Sequence, residues 1–371
     1  MISNALKMLR MTTGAAVLTA LSLAVVGGAS AEGEKKKVYL AMSWIGNNWQ
    51  TEAMNMQLAL AKSEPYASLI DFKVQASGDN AQKQIQQINA MIQAGADAII
   101  IYPISPTALN QVIKNACSKG VVVFTYDSFV EESCAHHVGV DAEDSGYRRA
   151  KWVFETLGGK GNVVEITGAA GTSYDSRINA GTAKALAEFP GIKIVASANG
   201  NWSNPEARVQ LTKILATRSW NDIDGLVMQA GCYEATLMQK EAGIANKDLK
   251  PCGGGAENGQ RIQMLPEGTV DGAVGLRAYS AGSAVYGGAM ALKLVVKALQ
   301  GETVAKSTVL SDSGHSSEKT KLCVDGSAVE LADGCTAISQ ALLPDPYWDV
   351  DFYSPELPQL GLNAAVLAQP D

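Results

Sequence analysis

Residues 95–106 read Gly-Ala-Asp-Ala-Ile-Ile-Ile-Tyr-Pro-Ile-Ser-Pro, and this stretch decides the fold class. Its apolar run, Ala98–Tyr102, is short and stops at a proline, which is typical of a strand buried on both faces of a parallel sheet. A segment that starts at Asn80 precedes it with isoleucines at helical spacing and ends at Gly95, a C-cap residue. Residues 106–119 follow as another helix. Helix, strand and helix in this order predict repeated βα units.

The same alternation continues on both sides of this stretch. Further strand-like runs occur at 38–42, 72–76 and 121–126. A second cycle begins after Asp141, and its elements are predicted as helix 144–157, strand 162–166, helix 174–189, strand 193–196, helix 205–218, strand 225–228 and helix 233–242. A strand near Gly272, a helix over 282–299 and a short strand near Thr308 form a last unit. This pattern predicts two α/β lobes, with the chain crossing back between them.

The first residues predict export. Lys7 and Arg10 precede an apolar run over 15–26 and then Ala29-Ser30-Ala31, which is the pattern of a secretory signal peptide (residues 1–31) with its cleavage site. The apolar run is shorter than the roughly 20 residues that a membrane-spanning helix needs. No cysteine stands at the cleavage point, so we expect no lipid anchor. The expected location is the periplasm.

The two cycles also give expected domain boundaries. We expect a first lobe of residues 36–140 plus 277–304 and a second lobe of residues 141–276 plus 305–340. Residues 341–371 form a tail in which prolines at 344, 346, 355 and 358 stand among Tyr347, Trp348, Phe352 and Tyr353. Because prolines interrupt helices and central strands, we expect this tail to pack across a surface with its aromatic residues as anchors.

Charge and cysteine content narrow the function classes. The net charge of −7, with no basic cluster beyond residues 35–37, disfavours nucleic acid as a partner. Six cysteines in an exported chain fit three disulfide bonds. Their pairing is open, although pairing in chain order would close short loops: Cys117 with Cys134, Cys232 with Cys252, and Cys323 with Cys335. There is no C-x-x-C and there are three histidines, so we expect neither a metal nor another cofactor.

Polar and aromatic residues follow the predicted strands at their carboxyl ends, where open α/β sheets bind ligands. In order along the chain they are Ser43, Trp44, Asn47, Trp49, Tyr102, Asp127, Ser128, the stretch 168–173, Trp202 and Gln229. A sugar presents hydroxyl rims and apolar C–H faces, which match hydrogen-bonding groups and flat rings. Trp49 and Trp202 also fit a packing role between domains, and Asp127 also fits a turn cap.

These residues also carry a family resemblance. The chain up to roughly residue 310 resembles the ribose-, galactose- and xylose-type periplasmic sugar-binding proteins of ABC transporters. The matching stretches are Ala41-Met42-Ser43 with Asn47 and Trp49, residues 95–100, residues 120–127, residues 168–173 with Arg177, and residues 225–227. The resemblance implies a type I periplasmic binding fold: two doubly wound, Rossmann-like parallel-sheet lobes joined by a three-stranded hinge. It places the crossovers near Asp141, Leu276 and Ala305. Its matching positions also imply that Arg177 faces the cleft.

The chain departs from the family pattern at several site positions. Ser128 stands where the family often has arginine, and the spacing from Arg177 to Gly181 is one residue longer than usual. Ala230 replaces a common asparagine, and Gly253-Gly254 replaces a Phe-Asp pair. We expect nearby polar residues to compensate: Glu257, Asn258, Arg277 or Tyr279.

These observations predict a monomeric, periplasmic solute-binding protein. It would capture a sugar or polyol between its lobes and deliver it to the permease subunits of an ABC importer in the inner membrane. A sensory protein that presents its ligand to a chemoreceptor or histidine kinase would have the same fold and is the alternative. The chain has no G-x-S-x-G, Walker or H-E-x-x-H motif, so no enzyme activity is expected. The signal peptide and the lack of a helix-turn-helix pattern exclude a transcription factor.

Overall fold

The computed structural model describes residues 34–370. The predicted signal peptide, residues 1–31, lies outside this range. Across residues 34–370, none of the helices combines the length and the apolar character needed to cross a bilayer.

The first part of the described chain alternates strands with helices. Its elements are β1 (Lys36–Met42), α1 (Asn48–Lys62), α2 (Tyr66–Leu69), β2 (Ile70–Ala76), α3 (Ala81–Gln93), β3 (Ala98–Tyr102), α4 (Asn110–Ser118), β4 (Val122–Tyr126) and β5 (His136–Val140). Every residue of β3 is buried, as its apolar sequence predicted. Helix α1 was not predicted, because its buried positions include Gln50, Glu52 and Gln57 and give little hydrophobic periodicity.

The remaining chain continues the alternation and then becomes irregular. Its elements are α5 (Ala142–Thr156), β6 (Lys160–Thr167), α6 (Ser173–Glu188), β7 (Gly191–Asn199), α7 (Asn204–Leu215), β8 (Gly225–Met228), α8 (Cys232–Glu241), β9 (Cys252–Gly254), α9 (Asn258–Met264), β10 (Ala278–Ser280), α10 (Gly287–Leu299), β11 (Ser307–Leu310), β12 (His315–Ser316), β13 (Leu322–Cys323), α11 (Ala328–Ala332), β14 (Ala337–Ile338) and α12 (Leu362–Leu367). The last predicted unit thus begins with β10, several residues after Gly272.

Polar side chains cap the helices that follow the strands. Asn80 accepts a hydrogen bond from the Lys83 backbone N–H at the start of α3, and Asp141 accepts from the Glu143 N–H at the start of α5. Thr172 and Ser203 cap α6 and α7 in the same way. Such caps pair backbone donors that have no partner within the helix, and they fix where each helix begins.

The first sheet has the strand order β11-β5-β4-β3-β1-β2, and all its neighbouring strands are parallel. Alternate residues of β1 enter different cores. Leu40 packs with residues of α1 and α10 on one face, whereas Tyr39 packs with residues of α3 and α4 on the other. Because successive side chains of a strand point to opposite faces, this sheet is covered by helices on both sides.

The second sheet repeats this architecture with the order β12-β10-β9-β8-β6-β7. Its strands are parallel except for β12, which runs antiparallel to β10. Val164 of β6 packs with α7 and α8, and its neighbour Val163 packs with α5 and α6. The molecule therefore has two doubly wound α/β lobes, as the sequence predicted.

The chain passes between the sheets three times before the tail, and two of these crossovers differ from the prediction. The first lies at Asp141, between β5 and α5. The second lies between β10 and α10, because β10 pairs with β9 in the second sheet. The third lies between β11 and β12, because β11 pairs with β5 in the first sheet. Residues 277–280 thus belong with the second lobe and residues 305–310 with the first, opposite to the expected boundaries at 277 and 305.

The tail packs on both lobes. In the second lobe, the Gly259 N–H of α9 donates to the Pro346 carbonyl at 2.8 Å, and in the first lobe α1 packs against α12. Phe352 is buried in the same core as α1 and α10, while Trp348 and Tyr353 are partly buried against it. The tail therefore contributes to the first-lobe core, which explains why a Pro-rich segment is ordered.

Three disulfide bonds pair the cysteines in chain order. They join Cys117 to Cys134, Cys232 to Cys252, and Cys323 to Cys335. The second bond links the start of α8 to β9, and the third closes the loop that contains α11. Each bond closes a short loop, which reduces the conformational entropy of the unfolded chain.

Candidate ligand-binding site

A cavity of about 240 Å³ lies between the two lobes, at the carboxyl ends of the strands of both sheets. The first lobe lines it with the loop before α1, with Tyr102 at the end of β3 and with Asp127 after β4. The second lobe lines it with Trp202 after β7 and Gln229 after β8. A doubly wound sheet places its loops at this edge, and two such edges that face each other enclose a ligand-sized space.

Aromatic rings form opposite walls of the cavity. In the first lobe, the Trp49 ring lies 5.8 Å from the Tyr102 ring, and its Nε1 donates to the Ser283 carbonyl at 2.9 Å. In the second lobe, the Trp202 ring lies 6.1 Å from the Tyr174 ring in an edge-on arrangement. Rings that are fixed in this way present flat apolar faces to the cavity.

Gln229 fixes the orientation of the Trp202 ring. Trp202 Nε1 donates to Gln229 Oε1 at 2.7 Å, and Gln229 Nε2 in turn donates to Asp175 Oδ1 at 2.8 Å. The ring edge lies against Gly168, where an added Cβ would come within 2.2 Å of Trp202 Nε1. Gly168 is therefore required by this close approach, and the glycine-containing loop 168–173 makes room for an indole.

Two cavity residues have a left-handed backbone. Asp127 has φ 59° and Trp202 has φ 52°. Outside glycine such conformations are uncommon, least so for aspartate and asparagine, and they cluster at functional sites because the surrounding structure must hold them. Asp127 directly follows β4 and Trp202 stands three residues after the end of β7, and both residues line the cavity.

Asp127 is a buried carboxyl group on the first-lobe wall. Its Oδ1 accepts a hydrogen bond from the Ser283 hydroxyl. Burial raises its pKa to about 7, although the Ser283 hydrogen bond acts in the opposite direction. Near neutral pH this carboxyl group can both donate and accept hydrogen bonds, which suits a hydroxyl-bearing ligand.

The second-lobe end of the cavity is rich in charged groups. Glu257 is 5% exposed, and its Oε2 has no hydrogen-bond partner among the described residues. The Arg149 guanidinium donates to the carbonyls of Met228 and Ala281 at 3.2 and 2.6 Å, and its Nε has no partner in the described part of the chain. Asp349 of the tail completes this end. Burial raises the pKa values of both Glu257 and Asp349.

The two lobes touch across the cavity. Asn47 Nδ2 donates to the Trp202 carbonyl at 3.2 Å, and the Phe129 backbone N–H donates to the Ser173 hydroxyl at 2.9 Å. Both bonds join the first lobe to the second. The lobes are therefore closed on each other.

The structure brings seven of the predicted site residues together around the cavity. They are Asn47, Trp49, Tyr102, Asp127, Trp202, Gln229 and Glu257. Six other predicted residues lie outside its lining: Ser43, Trp44, Ser128, Arg177, Asn258 and Arg277.

Arg177 lies at the hinge and not at the cavity. Its Nη2 forms an ion pair with Asp141 Oδ1 at 2.8 Å. Gly181 holds α6 tightly against α5, since a Cβ there would come within 2.0 Å of the Glu143 carbonyl. One extra residue between Arg177 and Gly181 turns the side chain by about 100° around the helix axis, which accounts for the displacement.

The other five have structural surroundings of their own. Ser43 and Ser128 are buried, and the Ser43 N–H donates to the Tyr102 carbonyl at 3.1 Å, which extends the sheet. The Trp44 ring covers Gly46. Asn258 is buried and exchanges two hydrogen bonds with the backbone of Ile338, and Arg277 is exposed. Residue type and proximity in sequence did not reveal these surroundings.

Several cavity residues were missed by the sequence reasoning. Tyr174 directly follows the loop 168–173, and Ser283 is the second residue of the helix predicted at 282–299, so their positions carried a weak signal. Arg149 sits in the amphipathic helix α5, where an arginine is normally exposed to solvent. Tyr347 and Asp349 belong to the tail, for which no local pattern indicates a site.

Comparison with known proteins identifies the family. The family model for the periplasmic binding protein domain matches residues 38–303. The chain is 30% identical over 180 residues to the xylitol-binding protein of Mycolicibacterium smegmatis. This alignment covers 48% of this chain and 51% of that protein. It is 27% identical over 167 residues to a galactofuranose-binding protein of Escherichia coli, covering 44% and 51%. These alignments span about half the length of the curated relatives.

Solved structures share the fold over most of the chain. An ABC transporter solute-binding protein from Thermobispora bispora superposes with a TM-score of 0.66 at 28% identity, covering 74% of this chain and 84% of that one. A periplasmic solute-binding protein from Actinobacillus succinogenes with bound D-allose gives 0.64 at 24% identity, covering 77% and 99%. Two parallel-sheet lobes that enclose a cavity at their strand ends, together with the family match over residues 38–303, show that this chain belongs to the periplasmic binding protein domain family and has its type I fold.

Proposed function

We propose that this protein binds a sugar or polyol in the cavity between its lobes and delivers it, from the periplasm, to the permease of an ABC importer. The observation that carries the proposal is the pair of indoles, Trp49 and Trp202, that line one cavity from opposite lobes. Pyranose, furanose and polyol carbon chains have apolar C–H faces, and two fixed rings bury these faces when the lobes close.

The hydrogen-bonding groups of the cavity support the same ligand class. Asp127, Glu257, Asn204 and the Arg149 guanidinium lie around the rings. Each carboxyl group can accept hydroxyl protons, and Glu257 Oε2, Asn204 Oδ1 and Arg149 Nε have no partners among the described residues. Buried polar groups without partners are costly, so a ligand with several hydroxyl groups would stabilise this closed arrangement.

The relatives support both the ligand class and the role in transport. The curated relatives are named for binding xylitol, galactofuranose and D-xylose, and the structural relative from Thermobispora bispora is named as an ABC transporter solute-binding protein. These names describe binding proteins and not enzymes. A monomer that closes by hinge motion would present surfaces of both lobes to a permease.

A thermal-shift screen tests the ligand class. Xylitol, D-xylose, D-ribose, D-fructose and myo-inositol are added to the purified protein, because a ligand that binds only the folded state raises Tm. At a hundredfold excess over Kd the stabilisation is about 2.7 kcal/mol. Asp127→Ala and Trp202→Ala should remove the largest shift, whereas Asp333→Ala, at an exposed carboxylate outside the cavity, should retain it. The absence of any shift across the panel would contradict the proposal.

Transport is tested separately from binding. Uptake of the radiolabelled best binder is compared between cells with and without the gene for this protein. Loss of uptake in the deletion strain supports delivery to an importer. Unchanged uptake, with binding intact, contradicts delivery and favours a sensory role.

A further inference from the structure

Residues 341–370 connect the two lobes a fourth time, beyond the segment that the family model covers. The chain leaves β14, beside α9 of the second lobe, and ends in α12, which packs against α1 of the first lobe. We call residues 345–351, where this segment passes the cavity, the strap.

The strap lies between the lobes and bonds to both. On the second-lobe side, the Asn258 N–H donates to the Trp348 carbonyl at 2.7 Å, and the Val350 N–H donates to the Ala256 carbonyl at 3.2 Å. On the first-lobe side, the Asp349 N–H donates to Glu52 Oε1 at 2.7 Å. The backbone of one short segment thus reaches both lobes at the point where they meet.

Buried contacts hold the strap in place. Arg261 Nη2 pairs with Asp351 Oδ1 at 2.7 Å, and both side chains are nearly inaccessible, at 1% and 5% exposure. Tyr347 Oη donates to Glu234 Oε1 at 2.6 Å. Beyond the strap, Asn55 Nδ2 of α1 donates to the Ala365 carbonyl at 2.8 Å. The position of the strap is therefore determined at both ends.

Alternate residues of the strap face the cavity. Tyr347 and Asp349 line it, whereas Trp348 between them does not. In an extended segment, residues two apart point to the same side. Asp349 lies beside Glu257, with which it forms an isolated β-bridge, and Glu257 Oε2 has no hydrogen-bond partner among the described residues. Two carboxyl groups from different parts of the chain thus meet at one end of the cavity.

We propose that the strap is part of the ligand site and that Asp349 is a ligand-contacting residue that makes the site select solutes without negative charge. The inference rests on the proposed function and deepens it. Three carboxyl groups, of Asp127, Glu257 and Asp349, line the cavity, against one guanidinium, that of Arg149. Arg149 already donates to two backbone carbonyls. A carboxylate or phosphate on the ligand would be buried among these carboxyl groups with a single guanidinium in the cavity lining, so its charge would have little compensation.

The test uses neutral and anionic ligands of matched shape. Affinities of the full chain for xylitol, D-xylose, D-ribose and D-fructose, and for D-xylonate and D-ribose 5-phosphate, are measured by isothermal titration. We expect the best neutral ligand to bind at least about a hundredfold more tightly than either anion, because burial of an uncompensated charge is costly. An anion that binds as tightly as the best neutral ligand overturns the inference while leaving a sugar site in place.

Two variants of Asp349 test separately whether its side chain contacts the ligand and whether its ability to ionise affects selectivity. Asp349→Ala should weaken binding of the best neutral ligand by about tenfold, as loss of a buried hydrogen bond does. Asp349→Asn keeps the shape of the side chain but cannot ionise. It should therefore reduce the preference of the site for the neutral ligand over D-xylonate. Glu356→Gln, an exposed tail carboxylate paired with Lys293 outside the cavity, should match the parent. The unliganded Tm of each variant reports on folding.

The outcomes distinguish the two proposals. If the parent binds a neutral ligand and both Asp349 variants bind it with unchanged affinity and unchanged preference, the strap is not part of the site, although the sugar site stands. If no panel member binds the parent, the proposed function fails and this inference fails with it.

Discussion

Asn47 of the first lobe donates a hydrogen bond from Nδ2 to the carbonyl of Trp202 in the second lobe, at 3.2 Å. The same side chain caps α1, because its Oδ1 accepts from the Gln50 N–H at 3.0 Å. One residue therefore starts the helix that borders the cavity and also joins the two lobes across it. The cap is local, whereas the bond to Trp202 exists only when the lobes are closed.

The two roles of Asn47 are separable by substitution. Serine caps a helix about as well as asparagine but is too short to reach Trp202. We expect Asn47→Ser to preserve the stability of the unliganded protein and to weaken ligand binding by roughly two- to tenfold, the value of one net hydrogen bond. Stopped-flow dissociation rates and thermal unfolding measure the two effects. Asn47→Ala, which also loses the cap, should lower the free energy of unfolding by about 1 kcal/mol. Equal ligand affinities for Asn47→Ser and the parent would show that the bond to Trp202 does not stabilise the closed lobes.

The indole of Trp202 should contribute through its face more than through its N–H. We expect Trp202→Ala to weaken binding of the best neutral ligand by about ten- to a hundredfold, corresponding to roughly 1.5–3 kcal/mol of lost apolar burial. Trp202→Phe keeps a ring but loses the bond to Gln229 Oε1, so its loss should be smaller. Titration calorimetry measures both, with Trp152→Phe, away from the cavity, as the control. A Phe variant as weak as the Ala variant would assign the effect to ring orientation instead.

Asp127 should contribute a loss of stability to the unliganded protein as pH rises from about 4 to about 7. Burial raises the pKa of Asp127 to about 7, above its ordinary value of 3.8. The folded protein therefore keeps a proton that the unfolded chain has already released. The stabilising contribution of Asp127 is complete below about pH 4 and is lost by about pH 7. The free energy lost is roughly 1.4 kcal/mol for each unit of difference between the folded and unfolded pKa values. Denaturant unfolding at pH 5 and pH 7.5 measures it.

Asp127→Asn is the control for this pH dependence. The amide does not titrate, so the variant should show a smaller loss of stability between pH 5 and pH 7.5. Burial also raises the pKa values of Glu52 and Asp349. Because these two groups still titrate in the variant, part of the pH dependence of its stability should remain. If parent and variant have identical slopes, Asp127 does not hold a proton in the folded state.

Asp351 should be important for stability, in contrast to a neighbouring exposed pair. Asp351→Asn leaves the buried Arg261 guanidinium without its carboxylate, and removal of one partner of a buried ion pair costs roughly 3–5 kcal/mol. Urea unfolding should show a clearly lower midpoint. Glu356→Gln breaks the tail's exposed pair with Lys293, and its midpoint should stay close to that of the parent. Similar midpoints for both variants would show that the tail does not contribute to the cooperative core.

Local sequence patterns predicted most of the two sheets. Strands Ala98–Tyr102 and Gly225–Met228 were predicted with their observed bounds, because a short apolar run between turn residues has few other stable conformations in water. The same reasoning missed α1. Its buried side includes polar residues such as Glu52, whose partners come from the tail almost 300 positions later in the sequence.

The site residues that follow strands were predicted, because the order of the strands determines where they lie. The site residues contributed by segments far apart in the sequence were missed. Asp127 directly follows the buried strand β4, Trp202 lies three residues after the edge strand β7, and the parallel topology brings such positions to one edge. Arg177 had the expected residue type, but its helix is turned by one residue against α5, so its partner is Asp141. Arg149 occupies the cavity instead, and nothing in its own helix distinguishes it from an exposed arginine.

The amino-acid sequence by itself determined the alternating strands and helices, the division into two lobes and the edge of the sheets that bears the cavity. These properties depend on hydrophobic periodicity and turn residues within a few positions of each other. Only the tertiary structure decided the lobe to which 277–280 and 305–310 belong, and the entry of Tyr347 and Asp349 into the cavity. Those outcomes depend on the free energy of packing between segments far apart in the chain, which no local pattern encodes.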